Sequence, residues 1–325
     1  MSAERDINAL LAGLRAGVPR GVEITGVRPL TAGHSNETYV LEGLDAILRL
    51  PPSTPPVLQG HGVITQGHVY QELGALPDIL PTPRILHLEE DSGLLGDPFF
   101  IMETVPGAAV TDYVLPEWFT EATPDQRTSV SRQWVAAIGS IARLQPLAAF
   151  GTPATPESDA RKWRSWAANA DCPALVALYD RLLSRPAPRS GPVSPVHGDP
   201  KIANLMWSDF RLSAVLDWEL GHNGEPLTDL GYVLYFFRPE IYFGVPLPSL
   251  SGIISRDEAV KAWEAASGRS AQGFEWYEAA AVGKIAAIVA RGYQMIVAGE
   301  SHDPKMARWK EMLDANIALM DVVLG

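Results

Sequence analysis

An α+β fold, with strands gathered near the N-terminus and helices after them, is what the order of patterns in this chain predicts. Short runs with strand character crowd residues 22–50. Further on, Val130, Trp134, Ile138, Ile141 and Leu144 recur at helical intervals. Strands grouped ahead of helices are the α+β order. A chain of 325 residues, 46% hydrophobic and with a mean hydropathy near zero, has apolar surface enough for two lobes or two small domains.

The elements follow in order. Ile7, Leu10, Leu11 and Leu14 mark an amphipathic N-terminal helix. Residues 22–29, 37–41 and 45–50 read as strands, with the small-residue turn Leu-Thr-Ala-Gly-His-Ser-Asn over 30–36 between the first two. A Pro-rich stretch over 51–56 reads as a loop, and 63–76 as a helix carrying Glu72. Residues 98–107 form an apolar strand that leaves into a Pro-Gly turn. A buried helix is expected over 128–144, a basic and aromatic helical segment over 161–166, and a Pro-rich linker over 186–195. The run Ala-Val-Leu over 214–216 reads as a buried strand ending on Asp217, and helices are expected over 274–297 and 304–324.

The chemistry concentrates in Val-His-Gly-Asp-Pro-Lys-Ile-Ala-Asn-Leu, residues 196–205, and in the Asp-Trp-Glu triplet that begins at Asp217. Asp199 and Asn204 stand five positions apart, the offset of the protein-kinase catalytic loop H-R-D-x-x-x-x-N. A carboxylate there can accept the proton of an attacking hydroxyl, while an amide oxygen and a second carboxylate can hold magnesium against nucleotide phosphates. His-Gly-Asp alone is commonly a turn, because Gly and Asp suit chain reversals. Three polar positions in register with a strand carry more weight.

These residues resemble the aminoglycoside phosphotransferase family, the small-molecule branch of the kinase-like fold, whose loop reads HGDxxxxN. The Asp-Trp-Glu form is similar to the branch that includes the hydroxyacyl-CoA kinase domains of acyl-CoA dehydrogenase family proteins. The resemblance implies a protein-kinase-like two-lobe fold. Residues 1–103 would form a nucleotide-binding lobe with a small antiparallel sheet, and 104–325 a catalytic and acceptor-binding lobe that is mostly helical. It implies Asp199 as the catalytic base and Asn204 and Asp217 as magnesium ligands. Gly33, Ser35 and Asn36, followed by Thr38 and Tyr39, match its phosphate loop, where small residues let backbone N–H groups approach phosphates. Arg49 takes the place of the kinase lysine, its guanidinium fork suited to phosphate oxygens, with Glu72 as its ion-pair partner. The Glu103 carbonyl and the Val105 N–H would face the adenine, Lys201 would touch the γ-phosphate, and Asp229 would brace the catalytic loop. Gln145 stands where the family commonly has His.

The implied cofactors are ATP or GTP and Mg2+, and the implied partner is a small-molecule hydroxyl acceptor. A hydroxylated metabolite such as a hydroxyacyl-CoA is favoured over an aminoglycoside. Only 11 positions separate Asp217 from Asp229, too few for a protein-kinase activation segment, so a peptide acceptor is not expected. A nucleotide-binding pseudokinase, acting as a sensor or interaction module, is the alternative. The net charge of −12 argues against a nucleic-acid partner. Cys172 is the only cysteine, which excludes an intrachain disulfide and a cysteine-cluster metal site. No leader pattern is seen at the N-terminus, and the best apolar stretch, 279–290, is interrupted by Lys284, so no membrane partner and a cytoplasmic location are expected. The sequence lacks G-x-x-x-x-G-K-[ST], H-E-x-x-H and G-x-S-x-G. Tyr277, Arg291, Tyr293 and Gln294 are candidates for the acceptor side, with core packing as the competing reading.

Overall fold

The computed structural model describes residues 5–30, 36–53, 60–111, 114–238, 247–300 and 308–325. The chain forms two compact units, residues 1–107 with 213–220, and residues 108–212 with 221–325. The segment 213–220 was expected in the larger lobe, and its hydrogen bonds explain the difference. Val215 N–H donates to Pro81 O at 2.9 Å, and His61 N–H to Glu219 O at 2.6 Å.

In the smaller unit, helix α1 (Ile7–Gly17) is capped by the Asp6 side chain, and strands β1 (Gly26–Leu30), β2 (Glu37–Glu42) and β3 (Ala46–Leu50) follow. β1 starts later than the apolar pattern predicts, because Gly21–Glu23 turns as a 3-10 segment against α1. A Cβ at Gly21 would lie 2.2 Å from Leu14 O, so only glycine permits that approach. Helix α2 (Val63–Gly74), β4 (Ile85–Glu89) and β5 (Phe99–Glu103) complete an antiparallel sheet of order β1-β2-β3-β5-β4. Strand parity then sorts the side chains. Ala46, Leu48, Leu50, Phe99 and Ile101 join Leu10 and Leu14 of α1 in one core. Arg49 and Phe100, opposite each other in register, belong to the other face, where Phe100 meets Tyr70 of α2 at 5.9 Å between ring centroids.

The larger unit holds the short strand β6 (Ala108–Ala109) and helices α3 (Glu117–Thr120), α4 (Pro124–Ile141), α5 (Pro156–Asn169) and α6 (Pro173–Leu183). Thr123 and Gln126 form a capping box at the start of α4, with Pro at the first helical position. Strands β7 (Ser194–Val196), β8 (Leu205–Ser208), β9 (Arg211–Val215) and β10 (His222–Gly224) carry the loops of interest. β7 pairs with β10, and β6, β8 and β9 form a three-stranded sheet. Asp209 and Phe210, at φ +48° and +59°, make the tight turn between β8 and β9.

Helices α7 (Leu227–Tyr235), α8 (Arg256–Ser267), α9 (Phe274–Val297) and α10 (Trp309–Leu324) close this unit. A Cβ at Gly231 would lie 2.4 Å from the Tyr277 backbone, so glycine sets how closely α7 approaches α9. By length and composition α9 could cross a membrane, which corrects the expectation that no stretch is long enough. It is instead packed against α5, α7 and α10, with its residues mostly buried inside the protein. The sequence count stopped at Lys284, whereas the helix runs on through it. Glu278, wholly buried on α9, accepts from Arg238 Nε at 2.7 Å and from Arg256 Nη2 at 2.5 Å. Glu278→Ala is expected to lower stability by about 3 kcal/mol, read by urea unfolding, because two guanidinium groups lose their buried counter-ion.

Candidate active site

The loop that follows β7 is held by hydrogen bonds with Asp229, Trp134, Asn204 and Lys284, which all belong to the larger unit. Asp229, in the first turn of α7, accepts from His197 N–H at 2.7 Å and Gly198 N–H at 2.9 Å. This is the bracing role expected of it. Burial pushes the Asp229 carboxyl up, against the charge of His197 and these N–H bonds. Gly198 takes φ +82°, the left-handed region that suits glycine, and turns the chain sharply into Asp199. Trp134 Nε1 donates to Pro200 O at 2.8 Å.

Asn204, at the end of a 3-10 turn, donates through Nδ2 to Asp199 O at 2.8 Å and to Asp199 Oδ2 at 3.0 Å. This leaves the Asn204 side-chain oxygen as an acceptor. Lys201 Nζ lies 3.4 Å from Asp199 Oδ2, so the lysine expected at the γ-phosphate is paired with the base. Burial drives the Asp199 carboxyl upward. Lys201, a hydrogen bond from Tyr232, Lys284 and His197 outweigh it and hold the group below its ordinary value. Asp199 Oδ1 is buried and, among the described residues, has no hydrogen-bond partner.

The other expected carboxylate, Asp217, belongs to the smaller unit. Asp217 follows β9 with φ +66°, a left-handed backbone uncommon outside glycine and a form of strain found at functional sites. Its N–H donates to Tyr70 Oη at 3.0 Å. Burial pushes the Tyr70 phenol well above its ordinary range, so the hydroxyl stays protonated. Arg49 Nη2 lies 3.6 Å from Asp217 Oδ1, and Arg49 Nη1 donates to Thr38 Oγ1 at 3.0 Å, its cross-strand neighbour. Asp217 Oδ1 is buried and likewise lacks a hydrogen bond among the described residues.

The other expected positions divide. Gly33 and Ser35 lie outside the described residues. Asn36, expected at phosphate, donates to Glu219 Oε2 at 3.3 Å. Glu72 stands on α2, half-buried, in the same unit as Arg49. Glu103 ends β5, where its N–H donates to Arg84 O at 3.0 Å and its side chain accepts from Arg84 N–H. Among the described residues the next free backbone donor is the Val105 N–H, since Thr104 N–H is used by Asp45 O. Tyr277 donates to Pro188 O at 2.5 Å and so fixes the Pro-rich linker, while Arg291 and Gln294 bond each other.

Three residues escaped the sequence reading. Tyr70 and Glu219 gave no signal beyond a helical apolar position and the Asp-Trp-Glu triplet. Lys284 did leave one, as a lone charge in the middle of an apolar helix. Its Nζ donates to Gly198 O and stands over the rings of Trp163 and Tyr232, at 5.0 and 5.4 Å. Trp163 thereby settles the 161–166 segment as a helix turned inward.

Asn204 and Asp217 each offer a hard oxygen donor of the kind magnesium takes, and Asp217 Oδ1 is a buried acceptor with no hydrogen bond among the described residues. Among the described residues no cluster of three or more His, Cys, Asp or Glu could hold a metal unaided.

A braced His-Gly-Asp loop, an Asn bonded to its Asp, and a small antiparallel sheet ahead of a helical part define a kinase-like phosphotransferase. A profile of the phosphotransferase enzyme family, APH, matches residues 26–279, and the chain belongs to that family. It is 30% identical over 226 residues to acyl-CoA dehydrogenase family member 11 of Gallus gallus, which covers 65% of this chain and 28% of that protein. With the same family member of Pongo abelii it shares 28% over 279 residues, 80% of this chain and 34% of the other. The chain thus spans about a third of the length of the curated relatives it matches. Among solved structures, a Ralstonia eutropha protein ascribed to the aminoglycoside phosphotransferases aligns with a TM-score of 0.75 at 24% identity, over 98% of both chains. The GDP complex of aminoglycoside 2'-phosphotransferase-IIIa aligns with a TM-score of 0.66 at 14% identity, over 97% of this chain and 99% of that one. At such identities these structures establish the kinase-like fold.

Proposed function

We propose that this small-molecule phosphotransferase moves the γ-phosphoryl group of ATP or GTP to an alcohol hydroxyl. The observation that carries the reading is the Asp199 carboxylate, ionised, tied to Asn204 and left with one buried oxygen that has no hydrogen-bond partner among the described residues. That oxygen accepts the hydroxyl proton as the hydroxyl oxygen bonds to phosphorus and the bridging oxygen leaves with the nucleoside diphosphate. Asn204 and Asp217 would ligate Mg2+, which when bound neutralises the phosphates. Gly33, Ser35 and Asn36 would line the phosphate loop, and the Val105 N–H and Glu103 carbonyl the adenine edge. Nucleotide use is supported by neighbours solved with GDP and ADP. A pseudokinase has no need of this ionised base.

For the acceptor, a hydroxylated metabolite such as a hydroxyacyl-CoA is favoured over an aminoglycoside. Two observations support the preference. The curated relatives are acyl-CoA dehydrogenase family members. Lys201 and Lys284 both lie against the Asp199 loop, where they would repel a polycation. The test is Mg2+-dependent nucleotide consumption with hydroxyacyl-CoA thioesters and with aminoglycosides side by side. Turnover with aminoglycosides alone would reverse the preference, and turnover with neither alcohol class would count against this acceptor assignment.

Arg49 and Glu72 test the nucleotide side. Arg49→Ala is expected to weaken ATP binding about 10-fold or more, and Arg49→Lys to recover part of it by restoring charge without the fork. Glu72→Gln should give a smaller loss, and the double variant should be less than additive if the two residues position one group. Fully additive losses in calorimetric Kd would separate them.

A further inference from the structure

We propose that Lys284 is a positioning residue for phosphoryl transfer, its buried ammonium holding the Gly198 carbonyl and the ring of Tyr232 so that the Asp199 carboxylate keeps one geometry. The inference rests on the reading of Asp199 as the base. Lys284 lies midway along α9 among Ala281, Val282, Ile285 and Ala286, all buried. A cation there is costly to bury, and an apolar side chain of similar size would serve the packing at least as well. What offsets the cost is aimed at the catalytic loop. The ammonium donates to Gly198 O, the residue immediately before Asp199. It stands over the faces of Trp163 and Tyr232, which attract a desolvated cation. Tyr232 in turn is among the groups that hold the Asp199 carboxyl below its ordinary value, after Lys201 and ahead of Lys284. The neighbouring charges are those of Asp159, Asp199 and Asp229, with Lys162 opposing them.

Two anchors therefore reach Asp199 from Lys284, one through the backbone and one through Tyr232. Asp229 and Asn204 fix the N–H side of the loop and the far side of the carboxylate. Without the ammonium, the Gly198 carbonyl and the Tyr232 ring lose their common partner. Small displacements of a reacting group are known to cost on the order of 100-fold in rate.

The experiment compares the full chain with Lys284→Met, Lys284→Gln and Asp199→Asn, using MgATP with water as the hydroxyl donor and following ADP release. For Lys284→Met we expect kcat to fall about 10- to 100-fold, with KM for MgATP within about 2-fold and a Tm equal to or above wild type. Replacing a purely structural lysine would lower Tm and leave kcat of the folded fraction alone. Lys284→Gln, neutral but able to donate to Gly198 O, should lose less. Asp199→Asn separates the two readings. If it is inactive while folded Lys284→Met turns over at the wild-type rate, the positioning role is overturned and the base stands. If Asp199→Asn itself retains wild-type turnover, the base assignment fails first. Should Lys284→Met not fold, wild-type kcat in Lys284→Gln overturns the proposal equally.

Discussion

Asp199→Asn is expected to lower kcat by about 100- to 1,000-fold while MgATP binds as before, measured by steady-state transfer and by calorimetry. The magnitude is that of losing a general base. The selectivity comes from the local bonds. An amide at this position still presents an oxygen to Asn204 Nδ2, and the main-chain oxygen that Asn204 also holds is untouched. Asn204 therefore keeps its orientation. What disappears is the anion beside Lys201 and the acceptor for the hydroxyl proton. Unchanged kcat in the variant would remove Asp199 from the chemistry. The pH dependence has a definite sign. Because its neighbours hold this carboxyl below its ordinary 3.8, it is ionised throughout the neutral range, and transfer should show no acid limb from it above about pH 5. An acid limb near pH 6 that vanished in Asp199→Asn would contradict the environment described for it.

Sequence order was sufficient for the parts of this site that are local. Asp199 and Asn204 are five residues apart, and their hydrogen bond follows from the 3-10 turn between them. Arg49 was legible by resemblance, as the counterpart of the kinase lysine, and the structure places it on the strand face away from the core of Leu48 and Leu50. Asp229 was legible by resemblance alone, since nothing in its neighbourhood shows that two N–H groups will converge on it. Contacts between distant residues were illegible for a physical reason. Asp217 rests on Tyr70, 147 residues away, through its own N–H, a bond that any residue type except proline could make. For the same reason the 213–220 segment was expected with the larger lobe rather than with the unit its hydrogen bonds tie it to. β4 was missed because its residues are all half-buried and carry no clear alternation. Lys284 was visible only as a flaw in an apolar run. Which carbonyl repays a buried lysine depends on the approach of α7 to α9, and that approach is set by the absence of a side chain at Gly231.

Asp217→Ala is expected to abolish the tightening of ATP binding by Mg2+ and to reduce transfer at least about 100-fold, beyond the range that loss of a supporting partner alone usually costs. Two effects are mixed in that variant. Alanine at φ +66° also suffers the left-handed backbone, by about 1 kcal/mol, so part of any loss could come from a displaced β9 turn. Asp217→Gly separates them, because glycine removes the same carboxylate and relaxes the backbone. The N–H to Tyr70 Oη bond is available to all three residues, so the turn keeps its anchor. If the carboxylate is the ligand, Ala and Gly lose the Mg2+ effect equally while Gly recovers stability. Arg49, deprived of its partner at 3.6 Å, should then bind ATP in metal-free buffer no worse than in wild type, since its charge is freed for phosphate. A magnesium effect that survives in Asp217→Gly, in calorimetric titrations with and without chelator, would assign Asp217 to holding Arg49 instead of the metal.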